Sequence, residues 1–410
     1  MSPPPLRRNR DFLLLQSGQV LSTIGSESTA IAYPLLVLAV THSPAKAGIV
    51  GFTRIVPWAV FGFVAGVVVD RVHRKRLMIA ADVVRVGAIA SIVVALALDR
   101  LSFAQIAAVA FVEGTMFVFF NVAEIGALRS VVPTTQLPAA AAAEQARYST
   151  VALVAPPLGG ALFGLGRALP FVADALSYVF SLGSLLAIRT PFQEEREAAG
   201  TRLRAELVEG FRWLWGHAFF RTCAILFTGS NLVFAATFLV LIVVGRRQGL
   251  SGAHIGLLVS ALGACSLLGS IGSPLVQRHL SMRTIVIGSF WVQLCTAGFV
   301  LHPSVYVLLA CAVPVFLTFP TVNAVVIGYR VAIVPDRLTG RVNSVARTIA
   351  LCGAPLGPLT AGLMLASLSA RATVGLLSLF LLGLAIVATS SSAIRNAPRL
   401  SDLHDLPVSA

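Results

Sequence analysis

The sequence predicts an all-α membrane protein whose twelve transmembrane helices form two pseudo-symmetric six-helix bundles, and three observations predict it. Of the 410 residues, 57% are hydrophobic and 12% charged, with a mean hydropathy of +0.86. That leaves too much apolar surface for a water-soluble fold. Apolar runs of about 20 residues recur along the chain, the helix length that a hydrocarbon core of about 30 Å requires. The two halves also resemble each other. In the first, RSVVP (Arg129 to Pro133) leads into a helix reaching APPLGG (Ala155 to Gly160); in the second, RVAIVP (Arg330 to Pro335) leads into one reaching APLGP (Ala354 to Pro358), in approximate register. Ten-residue strands of alternating polarity are absent, which excludes a β-barrel.

The spans fall at 12–40, 46–70, 77–98, 102–126, 139–166, 168–189, 219–245, 253–276, 282–301, 303–329, 338–367 and 372–394. The first is too long for a cleaved signal peptide and eleven more follow, so it is read as a permanent helix. Polar sequence then sets the domain plan: a tail at 1–10, a bundle at 11–190, a linker at 191–218, a second bundle at 219–395 and a tail at 396–410. In the linker Leu203, Leu207, Phe211 and Leu214 recur at helical spacing among charges, with Trp213 and Trp215 close by. This predicts an amphipathic helix in the cytoplasmic interface, with a soluble regulatory contact as the other reading.

A formal charge of +14 invites a nucleic-acid partner, but the basic residues are placed as topology signals. With the N-terminus inside, 21 of the 31 Lys and Arg fall on the cytoplasmic side and six on the other, leaving Arg54, Arg85, Arg147 and Arg347 within spans. Positive residues are retained inside during insertion, which puts both termini in the cytoplasm. The five cysteines lack C-x-x-C spacing and the seven histidines are scattered, so the sequence offers no disulfide framework, metal site or cofactor motif. With no nucleophile elbow or phosphate loop either, an enzyme is not expected.

Two repeated bundles around a site near the bilayer midplane are a general architecture for secondary transport. Asp70 ends the second span, where the helix dipole disfavours a negative charge and suits Arg71, Arg74, Lys75 and Arg76. It therefore needs a partner: Arg74, Arg129, or the N-terminus of the eleventh span. A contact of that last kind would be a conformational latch; the plainer alternative is a topology signal with a self-neutralised aspartate.

Gly66-x-x-x-Asp70-Arg71-x-x-Arg74-Lys75 resembles the signature between helices 2 and 3 of the major facilitator superfamily, with His73 where a glycine is usual. EGFRWL, VVPTTQL and IVPDRLTGRVNSV are most similar to the branch with the enterobactin exporter and macrolide efflux proteins. The resemblance implies the major facilitator fold and alternating access. Pro156, Pro157, Gly159 and Gly160 are similar to the antiporter motif of helix 5, with Ala155 for its first glycine. Prolines kink the helix there and glycines let a neighbour approach, which favours export over import; ordinary helix packing is the bland alternative.

The resemblance also implies that spans 1, 4, 7 and 10 line a cavity. Gln16, Thr23 and Glu27 share a face of the first. Glu113, Phe117, Phe120 and Glu124 share one on the fourth, with Asn121 at its margin; Phe227, Asn231, Phe234 and Phe238 form a stripe on the seventh; the tenth adds Thr318, Thr321 and Asn323. A carboxylate at mid-membrane costs at least about 2.5 kcal/mol, so Glu27 and Glu113 are candidate proton carriers, or else interhelical hydrogen bonds. Asp82 and Arg85 are expected to pair within their helix, and Arg54 and Asp174 read as end-of-helix anchors. Few polar groups among many phenylalanines point to an amphiphilic organic substrate such as a drug, macrolide or siderophore-like compound. The expected protein is a proton-coupled exporter, working as a monomer in the cytoplasmic membrane of a bacterium. Its alternatives are an importer of the same fold and a transport-inactive sensor or assembly partner.

Overall fold

A computed structural model describes residues 5–193 and 203–397. Most of the expected tails, residues 194–202 of the linker, and the side chains of Leu203 and Leu207 lie outside the described residues. Helices α1 (Arg10–Thr41), α2 (Pro44–Arg71), α3 (Arg74–Ala97), α4 (Phe103–Val131), α5 (Leu137–Leu165) and α6 (Leu169–Ala187) precede the linker. After it come α7 (Leu203–Gly216), α8 (Ala218–Arg247), α9 (Gly252–His279), α10 (Met282–Gln293), α11 (Val305–Ile333), α12 (Asp336–Leu351), α13 (Leu356–Ser367), α14 (Ala370–Ser390) and the single turn α15 (Ser392–Arg395). Among the described residues there is no strand. Among the described residues eleven helices are long and apolar enough to cross a membrane, or up to twelve when α2, bent between Gly62 and Val64, is counted as one span.

Serines set where several of these helices begin. Ser43, Ser102, Ser281, Ser304 and Ser369 each accept a backbone N–H from the first turn of α2, α4, α10, α11 and α14, donors that otherwise have no helical partner. Asn9 does more. Its Oδ1 caps α1 through Phe12 N at 3.1 Å, and its Nδ2 donates to Val131 O at 2.7 Å, tying the start of α1 to the end of α4.

The chain divides into two compact units: Met1–Thr201 with Gly245–Ala261, and Arg202–Val244 with Leu262–Ala410. In the first, α1 packs on α2, α4, α5 and α6. One face of α1 is small: a Cβ at Gly18 would collide with Ser184 and one at Gly25 with Asp174 and Ser177. With little apolar attraction between helices in lipid, such close backbone approach and hydroxyl bonding hold them together. Ser26 Oγ lies 2.8 Å from the Tyr178 hydroxyl, and Ser28 Oγ donates to Ala155 O at 3.0 Å.

In the second unit two spans depart from the simple helices that hydropathy predicts. Residues 282–300 begin as α10 and end in the 3₁₀ turns Leu294–Val300. The span read at 338–367 is broken into α12 and α13. Ala354 N turns back to Leu351 O, and Ala350 O instead accepts Asn231 Nδ2 from α8 at 3.1 Å. Thr228 Oγ1 likewise donates to Ile349 O at 2.7 Å. The break precedes Pro355, whose nitrogen cannot donate to Leu351 O; Ala354 N takes that carbonyl, and Asn231 of α8 takes the Ala350 carbonyl that Ala354 thereby leaves.

Candidate functional site

The first unit contains a chain of buried charges that α1 to α6 assemble among their apolar faces. Glu113 on α4 is 3% exposed. Its Oε2 accepts the Tyr33 hydroxyl at 2.7 Å; its Oε1 lies 3.5 Å from Arg54 Nη2 and accepts the Tyr178 hydroxyl at 3.5 Å. Gly114 makes this possible, since any Cβ there would meet the Arg54 carbonyl. Arg54 also donates to Ser26 O at 2.8 Å. Glu27 is exposed.

Two further pairs lie in the same unit. Asp82 and Arg85 are paired at 3.4 Å on α3, and Asp82 accepts Ser181 Oγ from α6 at 2.7 Å. Among the described residues Arg85 Nε and Nη2 have no hydrogen-bond partner, but the guanidinium faces the rings of Phe117, Phe120 and Tyr178 at 5.0 to 5.5 Å, which offers a cation compensating electron density. Arg147 on α5 reaches Glu124 on α4 at 2.6 Å and Glu144 at 3.5 Å. Asp174 on α6 is fully buried and has no ion pair among the described residues; Thr29 Oγ1 donates to it at 3.0 Å and Ser177 Oγ at 3.4 Å.

The sequence-read residues are therefore distributed unevenly. Glu113, Phe117, Phe120 and Glu124 stand beside these pairs, whereas Asn121, Gln16 and Thr23 are half-buried, Thr23 bonding its own helix at Gln19 O. In the second unit Asn231 holds Ala350 O and Phe227 stacks on Phe290. Phe234 lies 4.8 Å from Phe316 and 5.2 Å from Phe319, lining a recess with Val233, Thr237, Gln293 and Ala312. Thr318 bonds Pro314 O within α11, and Asn323 is exposed. Sequence reasoning missed Tyr33 and Tyr178 altogether, left Arg147 without a role, and read Arg54 and Asp174 as end-of-helix anchors, where the structure instead pairs Arg54 with Glu113 and buries Asp174 against Thr29. The available signal was that mid-span arginines require mid-span carboxylates.

Both glycine and proline motifs have a visible geometry. Asp70 is exposed and paired with Arg74 at 3.5 Å; Arg74 also reaches Phe192 O at 3.4 Å and lies over Gly126, while Lys75 donates to Ile188 O at 2.7 Å. Gly66 is open, and Arg71 and Arg129 are exposed. On α5, Pro157 deprives Leu153 O of its helical donor, and Ser260 Oγ of α9 donates to it at 2.5 Å. A Cβ at Gly159 would meet Ser28, at Gly160 would meet Gly252, and at Gly256 would meet Pro156. These contacts lie within the first unit.

Comparison with known proteins places this geometry. The model of the Major Facilitator Superfamily matches residues 16–330. The multidrug efflux pump Tap of Mycolicibacterium fortuitum is 26% identical over 400 residues, covering 94% of this chain and 96% of that protein. Macrolide efflux protein A of Streptococcus pyogenes is 23% identical over 356 residues, covering 84% and 87%. Among solved structures, the nucleoside transporter NupG superposes with a TM-score of 0.72 at 13% identity, covering 95% and 100%. A bacterial homologue of the iron transporter ferroportin does so with 0.72 at 15%, covering 96% and 99%.

Proposed function

Because the chain belongs to the major facilitator superfamily, we propose that it is a bacterial exporter of amphiphilic organic compounds, driven by protons that enter through carboxylates of its N-terminal half. Its membership makes it a multi-pass membrane transporter of small substrates. The printed names of its relatives, a multidrug and a macrolide efflux pump, support the direction and the substrate class. So does the recess around Phe234, where apolar side chains outnumber polar ones, the kind of surface that takes varied apolar bodies with few fixed hydrogen bonds.

The observation that carries the coupling is the buried Glu113 carboxylate, which faces the Arg54 guanidinium at 3.5 Å. In this reading Glu113 or Glu27 loads a proton from outside and releases it inside, and a cationic substrate competes with that proton for the carboxylate. The segments 11–190 and 219–395 are the moving parts, joined by the linker 191–218, with both termini cytoplasmic and the monomer as the working unit. Asp70 serves as the latch by exchanging Arg74, its local partner at 3.5 Å, for the start of the eleventh span, and Pro156, Pro157, Gly159 and Gly160 serve as the rigid bend of α5.

The test is proton release from the purified protein, followed with a pH dye as amphiphilic drugs, macrolides and siderophores are added. Release by a compound, lost in Glu27→Gln and Glu113→Gln, is the expected result. Release that persists in the double variant would remove the coupling assignment, and inward flux in oriented vesicles would reverse the direction.

A further inference from the structure

Helix α7 has two faces, and they are not those that the leucine spacing predicts. Leu214 is fully buried, and Gly210 lies so close to the Arg341 backbone that a Cβ would press on it. Glu209 is held by two arginines of α12, Arg337 at 2.9 Å and Arg341 at 2.5 Å. On the opposite side Val208, Phe211 and Trp215 are 47%, 45% and 40% exposed. At 3.6 residues per turn they fall in one narrow stripe, with exposed Arg212 at its margin. Phe211 and Trp215 stack on each other at 5.1 Å, covered by nothing else among the described rings.

Two features identify what meets this stripe. The spanning helix α8 begins at Ala218, immediately after α7 ends at Gly216, and Arg221 in its first turn donates to Trp215 O at 3.1 Å. That connection leaves α7 at the depth where a span enters the polar boundary of the bilayer, the region that favours tryptophan and arginine. The charge beside the stripe is also basic: Arg212 stands at its margin and Arg221 at its end, while Glu209 on the other face is paired with Arg337 and Arg341. An amphipathic helix with aromatic anchors and an arginine margin binds a surface of anionic lipid.

We propose that α7 docks on the headgroups of anionic lipids through Val208, Phe211, Trp215 and Arg212, and that Glu209 passes this anchorage to the start of α12. The lipid-facing stripe is thereby separate from the Leu214 face that packs on the protein. Its readout requires no transport, so it stands or falls apart from the export reading.

The experiment reconstitutes the full chain in phosphatidylcholine vesicles, with or without phosphatidylglycerol, whose acyl chains carry bromine close to the headgroups. The share of fluorescence due to Trp215 is the difference between the parent protein and Trp215→Phe. That share is expected to be quenched, more strongly with phosphatidylglycerol, and Arg212→Gln is expected to abolish the added quenching. Val208→Trp in the Trp215→Phe protein should restore a quenched tryptophan, because it occupies the same stripe. Emission typical of water-exposed indole and untouched by bromine overturns the proposal and leaves a protein partner as the occupant. Quenching indifferent to phosphatidylglycerol overturns the anionic preference.

Discussion

The Tyr33 hydroxyl donates to Glu113 Oε2 at 2.7 Å, joining α1 to α4 beside Arg54. Removing the donor and removing the acceptor have different consequences. Tyr33→Phe deletes one hydrogen bond to a charged group, about 1.5–3 kcal/mol, and leaves Arg54 paired. Glu113→Gln strands a largely buried guanidinium, which costs about 3–5 kcal/mol. Unfolding in detergent is therefore expected to rank Glu113→Gln below Tyr33→Phe, and the reverse order would show that Arg54 does not depend on Glu113.

Arg147 and Glu124 allow a cleaner measurement, because their 2.6 Å pair links α5 to α4 and both are buried. Arg147→Met leaves the buried Glu124 uncompensated and is expected to destabilise by about 3–5 kcal/mol; Glu124→Leu leaves Arg147 with Glu144 alone, at 3.5 Å, and is expected to cost less. The double variant removes both and should recover most of that loss. Glu144, 3.5 Å from Arg147, makes the recovery incomplete by keeping a charge that has lost its partner. Additive losses in the double-mutant cycle would mean that the two residues act independently.

Much of the fold was legible because a hydrocarbon solvent demands long apolar runs, and serine caps mark where they start. Where the spans deviate, local chemistry overrides hydropathy: Pro355 breaks the span read at 338–367, and the compensating donors Thr228 and Asn231 lie over a hundred residues away. The candidate site was half legible for a similar reason. A face of Glu113 and Glu124 follows from helical period, but Arg54, Arg147 and Tyr33 become their partners only when α2, α5 and α1 pack against α4. Small residues on α1 decide that packing, and nothing in a single sequence tells Gly18 and Gly25, which touch α6, from Gly62, which touches nothing. The linker shows the same limit, since periodicity grouped Phe211 with Leu214 and packing separated them.

Ser260 takes over a carbonyl that Pro157 leaves without a donor. Ser260→Ala should therefore cost about 1–3 kcal/mol, the penalty of an unsatisfied buried acceptor, while Ser260→Thr keeps the hydroxyl and most of the stability. Gly256→Ala tests the same contact through space, because its Cβ would strike the Pro156 carbonyl; Gly164→Ala, with open space around it, is the control and gains up to about 1 kcal/mol of helix propensity. Equal thermal shifts for Gly256→Ala and Gly164→Ala would show that the close approach does not constrain α5.

Asp174 and Asp82 are both fully buried carboxylates of the first unit, yet their surroundings predict opposite tolerance. Asp82→Asn takes the only ion-pair partner from Arg85, and the aromatic rings beside that guanidinium compensate only part of its charge. Asp174→Asn strands no cation, since Thr29 and Ser177 are its donors, one to each carboxylate oxygen; the amide oxygen keeps one of them, and the amide nitrogen can donate to the other hydroxyl. The expected loss is about 3–5 kcal/mol for Asp82→Asn and about 1 kcal/mol for Asp174→Asn, read as thermal unfolding of the two purified variants. If Asp174→Asn proves as damaging as Asp82→Asn, then its charge, and not its hydrogen bonds, holds α6 to α1, and Arg54 or Arg85 must be the distant cation that it balances.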